Sequence, residues 1–458
     1  MALLSINPAT EETLVTYDEL TDAEVEVRLL RARAASDKQR RGSVRDRAHG
    51  MRNLAALLTQ QRETHARLMT DEMGKTFVSA LAEVEKCAST CRHYAEHAEK
   101  YLADSLVETE AQSSHVRHLP LGVILGVMPW NFPFWQVIRF AVPALMAGNV
   151  ALLKHSSNVS GCSLALERLF HDAGFDTGVF QSLLIASSRV DALLSDERIA
   201  AVSLTGSEAA GAAVAKKAGS LIKKCVLELG GSDPFIVMPS THLEEAVPGA
   251  VAARIINNGQ SCIAAKRFIV HKACYDEFLR QFVHQFEELR VGSPLESSTD
   301  VGPIATRSGL EQLEQQVKSA TDAGARTACG GKRLPGPGFY YAPTVLADIP
   351  IDAAINREEV FGPVALVYRV DDIDAAIRLA NSTPFGLASS VWTDDEAEQA
   401  RFVQELEAGQ TFINALVASD PRLPFGGVKR SGYGRELGSL GILEFVNSKT
   451  VYIRRTRT

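Results

Sequence analysis

The 458-residue sequence lacks the features that mark membrane-spanning, nucleic-acid-binding and secreted proteins. No apolar run approaches the roughly 20 residues that span a bilayer, and no block of lysine and arginine is present. The net charge of −7 disfavours binding to nucleic acid or to an anionic membrane. The first residues, MALLSINPATEETLV, have no basic segment before an apolar run, so the sequence predicts no signal peptide.

Cysteine is sparse, and its distribution excludes a disulfide framework. The seven cysteines are scattered over the chain, which is typical of a reduced compartment. Cys87 and Cys91 stand four residues apart in a helical pattern, without a second cysteine pair to complete a metal site. The sequence therefore predicts two buried thiols there, no metal centre and a cytoplasmic protein.

What the sequence does contain is a change of hydrophobic pattern along the chain. Residues 21 to about 105 have helical periodicity, with Asp22 as the expected N-cap of the first helix. From Gly122, short apolar runs such as VILGVM, VALLK, AAVSL and FIVM alternate with helical segments. This alternation predicts a parallel, doubly wound α/β sheet.

The second half of the chain repeats the alternation. Expected strands at 268–270, 364–369 and 388–392 predict a second α/β domain from about 230 to 425. The segment KTVYIRR (449–455) favours a strand but has no evident partner in its own domain. An unpaired edge strand is a liability, so we expect this segment to pair with another subunit.

Three short segments carry the residues with the clearest chemical potential. Cys262 follows a glycine turn in NNGQSC, Glu228 ends an apolar run before two glycines, and Asn131 lies in the turn PWNFP. A free thiol with a pKa near ~8.5 is mostly protonated at neutral pH, so a nucleophilic cysteine needs a base or a polar environment. Each residue alone has a structural explanation, as a buried thiol, a helix-cap partner or a turn asparagine. Together they favour a single site.

Eight motifs, taken in order, resemble the signature of the aldehyde dehydrogenase superfamily. They are NPATEE (7–12), PWNFP (129–133), GNVALLKHS (148–156), SLTGS (203–207), LELGG (227–231), GQSC (259–262), EEVFGPV (358–364) and PFGGVKRSGYGRE (424–436). The resemblance runs nearly end to end. It implies an α/β fold with a Rossmann-type cofactor domain, a second α/β catalytic domain and a β oligomerisation flap.

The resemblance also implies where the domains lie and how the subunits assemble. The dinucleotide-binding domain is expected to comprise residues 1–108 and 121–228, and the catalytic domain residues 229–430. Residues 109–120 and 431–458 are expected to form the oligomerisation and bridging segments of a homodimer or homotetramer.

The implied chemistry is the oxidation of an aldehyde to a carboxylic acid with NAD(P)+. Cys262 is expected to attack the aldehyde carbon. The side-chain amide of Asn131 and the backbone N–H of Cys262 are expected to form the oxyanion hole. After hydride transfer to the nicotinamide, Glu228 is expected to activate the water that hydrolyses the thioester.

Eight residues are expected to hold the cofactor. They are Pro129, Trp130, Lys154, Ser157, Gly206, Ser207, Glu359 and Phe361. The first two are expected to act through their backbone, and Lys154 at the adenosine ribose. Gly206 and Ser207 open an expected helix whose N–H groups can receive the pyrophosphate. The resemblance implies Glu359 on the nicotinamide ribose and Phe361 beside the nicotinamide ring.

Ser157 bears on the choice between NAD and NADP. Many NAD-preferring relatives carry a glutamate at this position, where a carboxylate bonds the ribose hydroxyls and repels a 2′-phosphate. Ser157 removes that repulsion and Lys154 adds positive charge, so NADP is expected to be accepted and preferred. The alternative is that Ser157 is a solvent-facing loop residue and that NAD works equally well.

Arg139 and Ser419 are the expected substrate-binding residues. Family members that oxidise succinate semialdehyde carry an arginine at the position of Arg139 and a serine in the loop before PFGG. A helix running from the oxyanion turn would place Arg139 about two turns beyond Asn131, on the same face. Because a guanidinium suits a carboxylate, succinate semialdehyde is the leading expected substrate.

Several alternatives remain open at this stage. Arg139 would have a structural Asp or Glu partner if it does not bind substrate. The substrate could be another semialdehyde such as glutarate semialdehyde, or the chain could be a non-catalytic family member. Some semialdehyde dehydrogenases have a second arginine shortly before the cysteine, whereas here Arg254 is more distant and Arg422 is expected to be exposed. Ala264 stands where others have a second cysteine, so oxidised Cys262 has no local disulfide partner.

Overall fold

A computed structural model describes residues 2–454 of the chain. Residue 455 of the expected terminal strand, together with 456–458, lies outside the described residues. The strands, β1 to β18 in chain order, are Ala2–Ile6, Thr13–Asp18, Ser105–Leu106, Ser113–Pro120, Val123–Met128, Val150–His155, Phe180–Ser182, Ile199–Thr205, Lys224–Glu228, Pro234–Val237, Arg267–His271, Arg326–Cys329, Thr344–Ala347, Val364–Val370, Ser389–Trp392, Thr411–Ile413, Gly432–Tyr433 and Val446–Ile453.

The α-helices, α1 to α14 in chain order, are Asp22–Gln39, Val44–Gln60, Arg62–Met73, Phe77–Tyr101, Trp135–Met146, Ser160–Asp172, Val190–Ser195, Glu208–Ser220, Leu243–Ile255, Tyr275–Glu288, Arg307–Asp322, Ile373–Asn381, Glu396–Glu405 and Gly438–Leu443. Short 3-10 turns lie at Ser157–Val159, Ser187–Arg189, Ile256–Gly259, Ala354–Arg357 and Lys429–Ser431. Among residues 2–454, none of these helices is both long and apolar enough to cross a bilayer.

Helices α1 to α4 occupy the region that the sequence predicts to be helical. The prediction of Asp22 as the first N-cap is wrong by one residue. Thr21 is the N-cap: its hydroxyl accepts from the N–H of Glu24, and the Glu24 carboxylate accepts from the N–H of Thr21 at 2.8 Å. This reciprocal pair satisfies two N–H groups that an Asp22 cap would leave open. Asp22 lies in the first turn, where its charge favours the helix dipole.

The first large sheet has the strand order β17-β9-β8-β5-β6-β7. Apart from β17, all its strands are parallel, which confirms the predicted parallel sheet. Its strands are buried, and α4, α5 and α6 contribute to the same hydrophobic core. Because parallel strands end at one edge, the turns after β5, β6, β8 and β9 lie along a common rim.

The second large sheet has the order β12-β13-β14-β11-β10-β15-β16, and only β12 is antiparallel to its neighbour. Strands β11, β14 and β15 confirm the strands predicted at 268–270, 364–369 and 388–392. The sheet packs on one face against α9 and α10 through an aromatic core. That core includes Phe235, Phe268, Phe278, Phe282, Phe286 and Trp392.

A third sheet, of order β18-β4-β3, gives the terminal strand a partner within its own chain. β18 pairs with β4 along its whole length, from Val446 opposite Pro120 to Ile453 opposite Ser113. The sequence indicates no partner for this segment in its own domain and predicts pairing with another subunit, whereas the structure pairs it with β4 of the same chain. The other edge of β18 is open in the part of the chain that the structure describes.

Candidate active site

The turn before Cys262 is an unusual piece of backbone. Asn257, Asn258 and Gly259 all have positive φ angles, of 56°, 58° and 75°. Side-chain amides hold the strained turn in place: that of Asn257 donates to the carbonyl of Asn131 at 2.7 Å, and that of Asn258 donates to the carbonyl of Gly74 at 2.9 Å. A Cβ on Gly259 would lie 2.3 Å from the backbone of Gly362. Only glycine fits there, so the turn fixes where Cys262 stands.

Asn131 and Cys262 lie together, as the sequence predicts. The Asn131 amide Nδ2 donates to the carbonyl of Gln260 at 3.0 Å. An asparagine amide has two N–H donors, and the second has no acceptor among residues 2–454. The backbone N–H of Cys262 likewise has no acceptor in the described chain. Two N–H donors therefore remain available beside the sulfur.

A buried lysine that sequence reasoning missed supports the cysteine backbone. Lys266 Nζ donates to the carbonyls of Ser261 and Cys262, at 2.7 and 2.6 Å. The same ammonium lies 3.8 Å from a carboxylate oxygen of Glu359. Lys266 thus joins the cysteine turn to the segment that carries Glu359.

Glu228 ends β9 at the same rim. The residue is 2% exposed, and neither carboxylate oxygen has a hydrogen-bond partner among residues 2–454. Oε1 faces Gly426, where a Cβ would lie 2.7 Å away. Burial and the neighbouring carboxylate of Glu436 raise the pKa of Glu228 well above its ordinary value. In this arrangement the buried carboxyl group of Glu228 lies beside Gly426 and near Glu436.

The oxyanion turn and Arg139 do not share a helix, contrary to the sequence interpretation. Helix α5 begins at Trp135, so Asn131 lies in the preceding turn. The Glu83 carboxylate of α4 accepts hydrogen bonds from the N–H groups of Phe134 and Trp135, both at 2.9 Å. These bonds satisfy the first free donors of α5 and fix its start after the Pro133 turn. The expected common helix face of Asn131 and Arg139 is therefore wrong.

Arg139 has the structural carboxylate partner that the sequence left open as an alternative. Its Nε forms an ion pair with Glu436, and its Nη2 lies 3.3 Å from the hydroxyl of Thr205. The guanidinium stacks over the ring of Phe425, 4.5 Å from the ring centre. Glu436 was missed in the sequence although it stands in the quoted motif GYGRE.

Two cavities meet at Cys262. The larger, of about 770 Å3, opens along the rim of the first sheet. Six of the eight predicted cofactor residues line it: Pro129, Trp130, Gly206, Ser207, Glu359 and Phe361. The smaller, of about 220 Å3, holds both predicted substrate residues, Arg139 and Ser419, together with Lys86. The cysteine is thus reached from two sides.

Comparison with known proteins agrees with this geometry. The model of the aldehyde dehydrogenase family matches residues 2–451. This chain belongs to the aldehyde dehydrogenase family. It is 54% identical, over 100% of its length and 98% of the relative's, to the succinate-semialdehyde dehydrogenase [NADP(+)] of Mycobacterium avium (strain 104).

Two further similarities point the same way. The chain is 55% identical to the succinate-semialdehyde dehydrogenase [NADP(+)] of Mycobacterium leprae (strain TN), over 99% of this chain and 100% of the relative. The crystal structure of succinic semialdehyde dehydrogenase from Streptococcus pyogenes with NADP+ superposes with a TM-score of 0.97. That structure is 35% identical and covers 99% of this chain and 100% of its own.

In the aldehyde dehydrogenase chain, the larger cavity has polar groups suited to a dinucleotide. Ser207 is the N-cap of α8, so N–H groups of the first turn face the rim. The Glu359 carboxylate accepts from the N–H of Gly231 at 3.0 Å. Trp130 and Phe361 meet edge to face, with ring centres 5.8 Å apart. The N–H groups of α8 could bind a pyrophosphate, the Glu359 carboxylate could bind a ribose diol, and the rings of Trp130 and Phe361 could contact a flat ring.

Lys154 and Ser157 lie on the same rim but do not line the described cavity. Lys154 is the penultimate residue of β6, and its Nζ donates to the hydroxyl of Ser187 at 3.0 Å. Burial lowers the pKa of Lys154. Ser157 is exposed in the 3-10 turn that follows β6. Lys154 is therefore a buried side chain bonded to Ser187, whereas Ser157 is exposed, and neither is among the residues that line the cavity.

The two other arginines considered from the sequence have structural partners. Arg254 is buried and donates to the carbonyls of Ala265, Gly259 and Gly362, at 2.7, 2.6 and 2.6 Å. Arg422 is exposed, as expected, and pairs with Asp420 at 2.6 Å.

The thiol of Cys262 should alkylate slowly at neutral pH. Burial raises its pKa to about 12, although Arg139 and Lys266 act to lower it. Below that value the thiolate fraction, and with it the rate of inactivation by iodoacetamide, should rise roughly tenfold per pH unit. The measurement is the inactivation rate of the cofactor-free enzyme from pH 7 to pH 10, with Cys262→Ala giving the background from the other thiols. A rate that levels off below pH 8 would contradict this assignment.

Proposed function

We propose that this aldehyde dehydrogenase oxidises succinate semialdehyde to succinate with NADP+. The observation that carries the proposal is the position of Cys262 between two cavities of different character. One cavity has the polar rim described above. The other has apolar walls and the cationic side chains of Lys86 and Arg139. The names of the relatives at 54% and 55% identity support the same substrate and cofactor.

In the proposed reaction, Cys262 loses its thiol proton to water, and the thiolate attacks the aldehyde carbon and forms a thiohemiacetal. The carbonyl oxygen becomes negative and is stabilised by the free Asn131 amide N–H and the Cys262 backbone N–H. A single donor of this kind contributes about 10²- to 10³-fold to the rate. The bound nicotinamide supplies a hydride acceptor. When the hydride has left, the carbon remains attached to Cys262 as a thioester.

Hydrolysis of the thioester is assigned to Glu228. To act as a general base, its carboxylate must turn from Glu436 and Gly426 toward Cys262 and lose its proton. Within the described part of the chain neither carboxylate oxygen accepts a hydrogen bond, so that rotation breaks none. Glu228 then removes a proton from the attacking water, and succinate is released from the sulfur.

The test is the rate of NADPH formation with succinate semialdehyde, with butanal as the uncharged four-carbon aldehyde. We expect kcat/KM to be at least tenfold higher for succinate semialdehyde, and Cys262→Ala to remove both activities. A higher kcat/KM for glutarate semialdehyde would show that the substrate is this aldehyde, which is one methylene longer, and not succinate semialdehyde. No turnover of any aldehyde would indicate a non-catalytic family member.

The cofactor preference is proposed to depend on Ser157 and Lys154. Replacing Ser157 by Glu places a carboxylate near the adenosine ribose, where it repels a 2′-phosphate and bonds the ribose hydroxyls. We expect the ratio of kcat/KM for NADP+ over NAD+ to fall by about tenfold or more, a difference of about 1.4 kcal/mol. Ser220→Glu, which adds the same charge at the exposed end of α8, should leave the ratio unchanged. An unchanged ratio in Ser157→Glu, or a wild-type enzyme that prefers NAD+, would rule out this role.

We further propose that the enzyme is a cytoplasmic homodimer or homotetramer. The open edge of β18 exposes Tyr452 and Ile453, at 56% and 48%, which supports a homodimer or homotetramer joined through this sheet. Light scattering of the purified protein tests the stoichiometry. The seven free cysteines support a reduced, cytoplasmic setting. The first and second large sheets support the proposed division into a dinucleotide-binding and a catalytic domain.

A further inference from the structure

Lys86 is a cation of the smaller cavity that no motif of the sequence singled out. It lies in α4, half-buried, and lines the cavity together with Cys262. Its Nζ stands 4.4 Å from the centre of the Trp135 ring and donates to the hydroxyl of Ser419 at 2.6 Å. An aromatic face and a serine hydroxyl therefore hold the ammonium in one position.

No carboxylate in the part of the chain that the structure describes lies within 4.0 Å of the Lys86 ammonium. The acidic side chains near Lys86 form ion pairs with other cations. Glu83, one turn away on α4, pairs with Lys75, and Asp420 pairs with Arg422 at 2.6 Å. Partly burying a cation without a counter-ion is unfavourable. An anion entering the cavity would remove that cost.

Arg139 differs from Lys86 in this respect. Its charge is balanced by Glu436 and its guanidinium is also bonded to Thr205 and stacked on Phe425. Its side chain is 3% exposed. Within residues 2–454, Lys86 is thus the cation of this cavity that has no carboxylate partner.

The hydrogen bonds of Lys86 also leave donors for a carboxylate. An ammonium has three N–H groups, and only the one to Ser419 has an acceptor in the described chain. Since the Ser419 oxygen accepts from Lys86, its own O–H is directed elsewhere, and it has no acceptor among residues 2–454. Two ammonium donors and one hydroxyl donor match the several lone pairs of a carboxylate.

The electrostatic surroundings agree with anion binding. Burial, followed by the charge of Arg139, lowers the pKa of Lys86 to about 8. A bound carboxylate stabilises the ammonium and opposes both effects. The walls of the cavity are otherwise largely apolar, with Phe132, Ile256 and Val417 among them, so the carboxylate has few competing partners there.

We propose that Lys86, together with the Ser419 hydroxyl that it holds, binds the distal carboxylate of the aldehyde substrate directly. This inference rests on the proposed function and assigns the specificity for ω-carboxy aldehydes to α4. Arg139 then adds positive charge from a position that Glu436 fixes. The apolar side chains of the cavity, Phe132, Ile256 and Val417 among them, accept the methylene chain between the aldehyde and the carboxylate.

The test compares Lys86→Met, Lys86→Arg and Ser419→Ala with the wild-type enzyme on succinate semialdehyde and on butanal. For Lys86→Met we expect KM for succinate semialdehyde to rise roughly 10- to 100-fold, the effect of losing a hydrogen bond to a charged group. KM for butanal should stay within about twofold, because butanal has no carboxylate for Lys86 to bind. Lys86→Arg should recover most of the loss, and Ser419→Ala should show a smaller loss on succinate semialdehyde alone. Lys100→Met, at the exposed end of the same helix, is the control and should match the wild type on both.

The outcomes separate this inference from the function on which it rests. A wild-type enzyme that does not prefer succinate semialdehyde to butanal overturns both. A wild-type preference that Lys86→Met retains, or a loss that is equal on both aldehydes, overturns the role of Lys86 alone. Binding of succinate to the cofactor-free enzyme, measured by calorimetry, gives a readout without turnover. It should weaken by a similar factor in Lys86→Met, and unchanged binding would also overturn the assignment.

Discussion

Replacing Cys262 by alanine is expected to remove NADPH formation with every aldehyde, by roughly 10⁴-fold or more. The loss should be this large because no other described thiol lines either cavity. Neither the oxyanion donors nor the cofactor site can form a covalent bond to the aldehyde in its place. The steady-state rate of NADPH formation at saturating aldehyde is the measurement.

Cys274→Ala is the matched control for this variant. Cys274 is a partly buried free thiol at the start of α10, in the core of the second sheet. It should keep near-wild-type activity. Thermal unfolding of Cys262→Ala should resemble that of the wild type, since the turn is held by Asn257, Asn258 and Lys266 rather than by the sulfur. Residual activity above a few per cent would mean that another group acts as nucleophile.

Replacing Glu228 by glutamine is expected to separate the two halves of the reaction. Without the general base, the steady-state rate should fall about 10²- to 10⁴-fold. The first turnover should survive, because Asn131 and the Cys262 N–H are unchanged. A rapid burst of one NADPH per active site followed by slow turnover is the expected trace in stopped-flow absorbance.

The pH dependence gives a second readout for Glu228. Its raised pKa means that the basic form accumulates only as pH rises, so steady-state turnover limited by hydrolysis should increase with pH in the wild type. Glu228→Gln should lose that rise while keeping the burst. A Glu228→Gln enzyme with no burst would place Glu228 in the first half of the reaction and contradict its proposed role.

Much of the fold was accessible from the sequence because the pattern that specifies each element is local. The buried strands β5, β8 and β11 are apolar runs bounded by turn residues, and such runs predict a parallel sheet without knowledge of the neighbours. The start of α8 could also be predicted from a local pattern, because its N-cap Ser207 stands in the motif SLTGS. Glu228, Cys262 and Asn131 were found because each stands in a short motif.

The errors arose where distant segments decide the local structure. The start of α5 depends on the carboxylate of Glu83, which comes from another helix. The terminal strand finds its partner in β4, which is more than 300 residues earlier in the chain. No local pattern reports either contact.

The substrate end of the site shows the same limit. Arg139 is conspicuous in the sequence as an arginine in an apolar helix, but its partner Glu436 is almost 300 residues away. Lys86 looks like an ordinary surface lysine of an amphipathic helix. Only the packing of α4 against α5 and the 414–424 loop brings it to Trp135 and Ser419.

The central claim is that Cys262 carries the acyl group of an ω-carboxy aldehyde after hydride transfer. The most direct test is the mass of the Cys262 peptide from Glu228→Gln enzyme quenched with acid after reaction with succinate semialdehyde and NADP+. The account predicts that this peptide gains the mass of one succinyl group, in an amount equal to the NADPH formed in the burst. NADPH formed without an acyl group on Cys262, or with the acyl group on another residue, would contradict it.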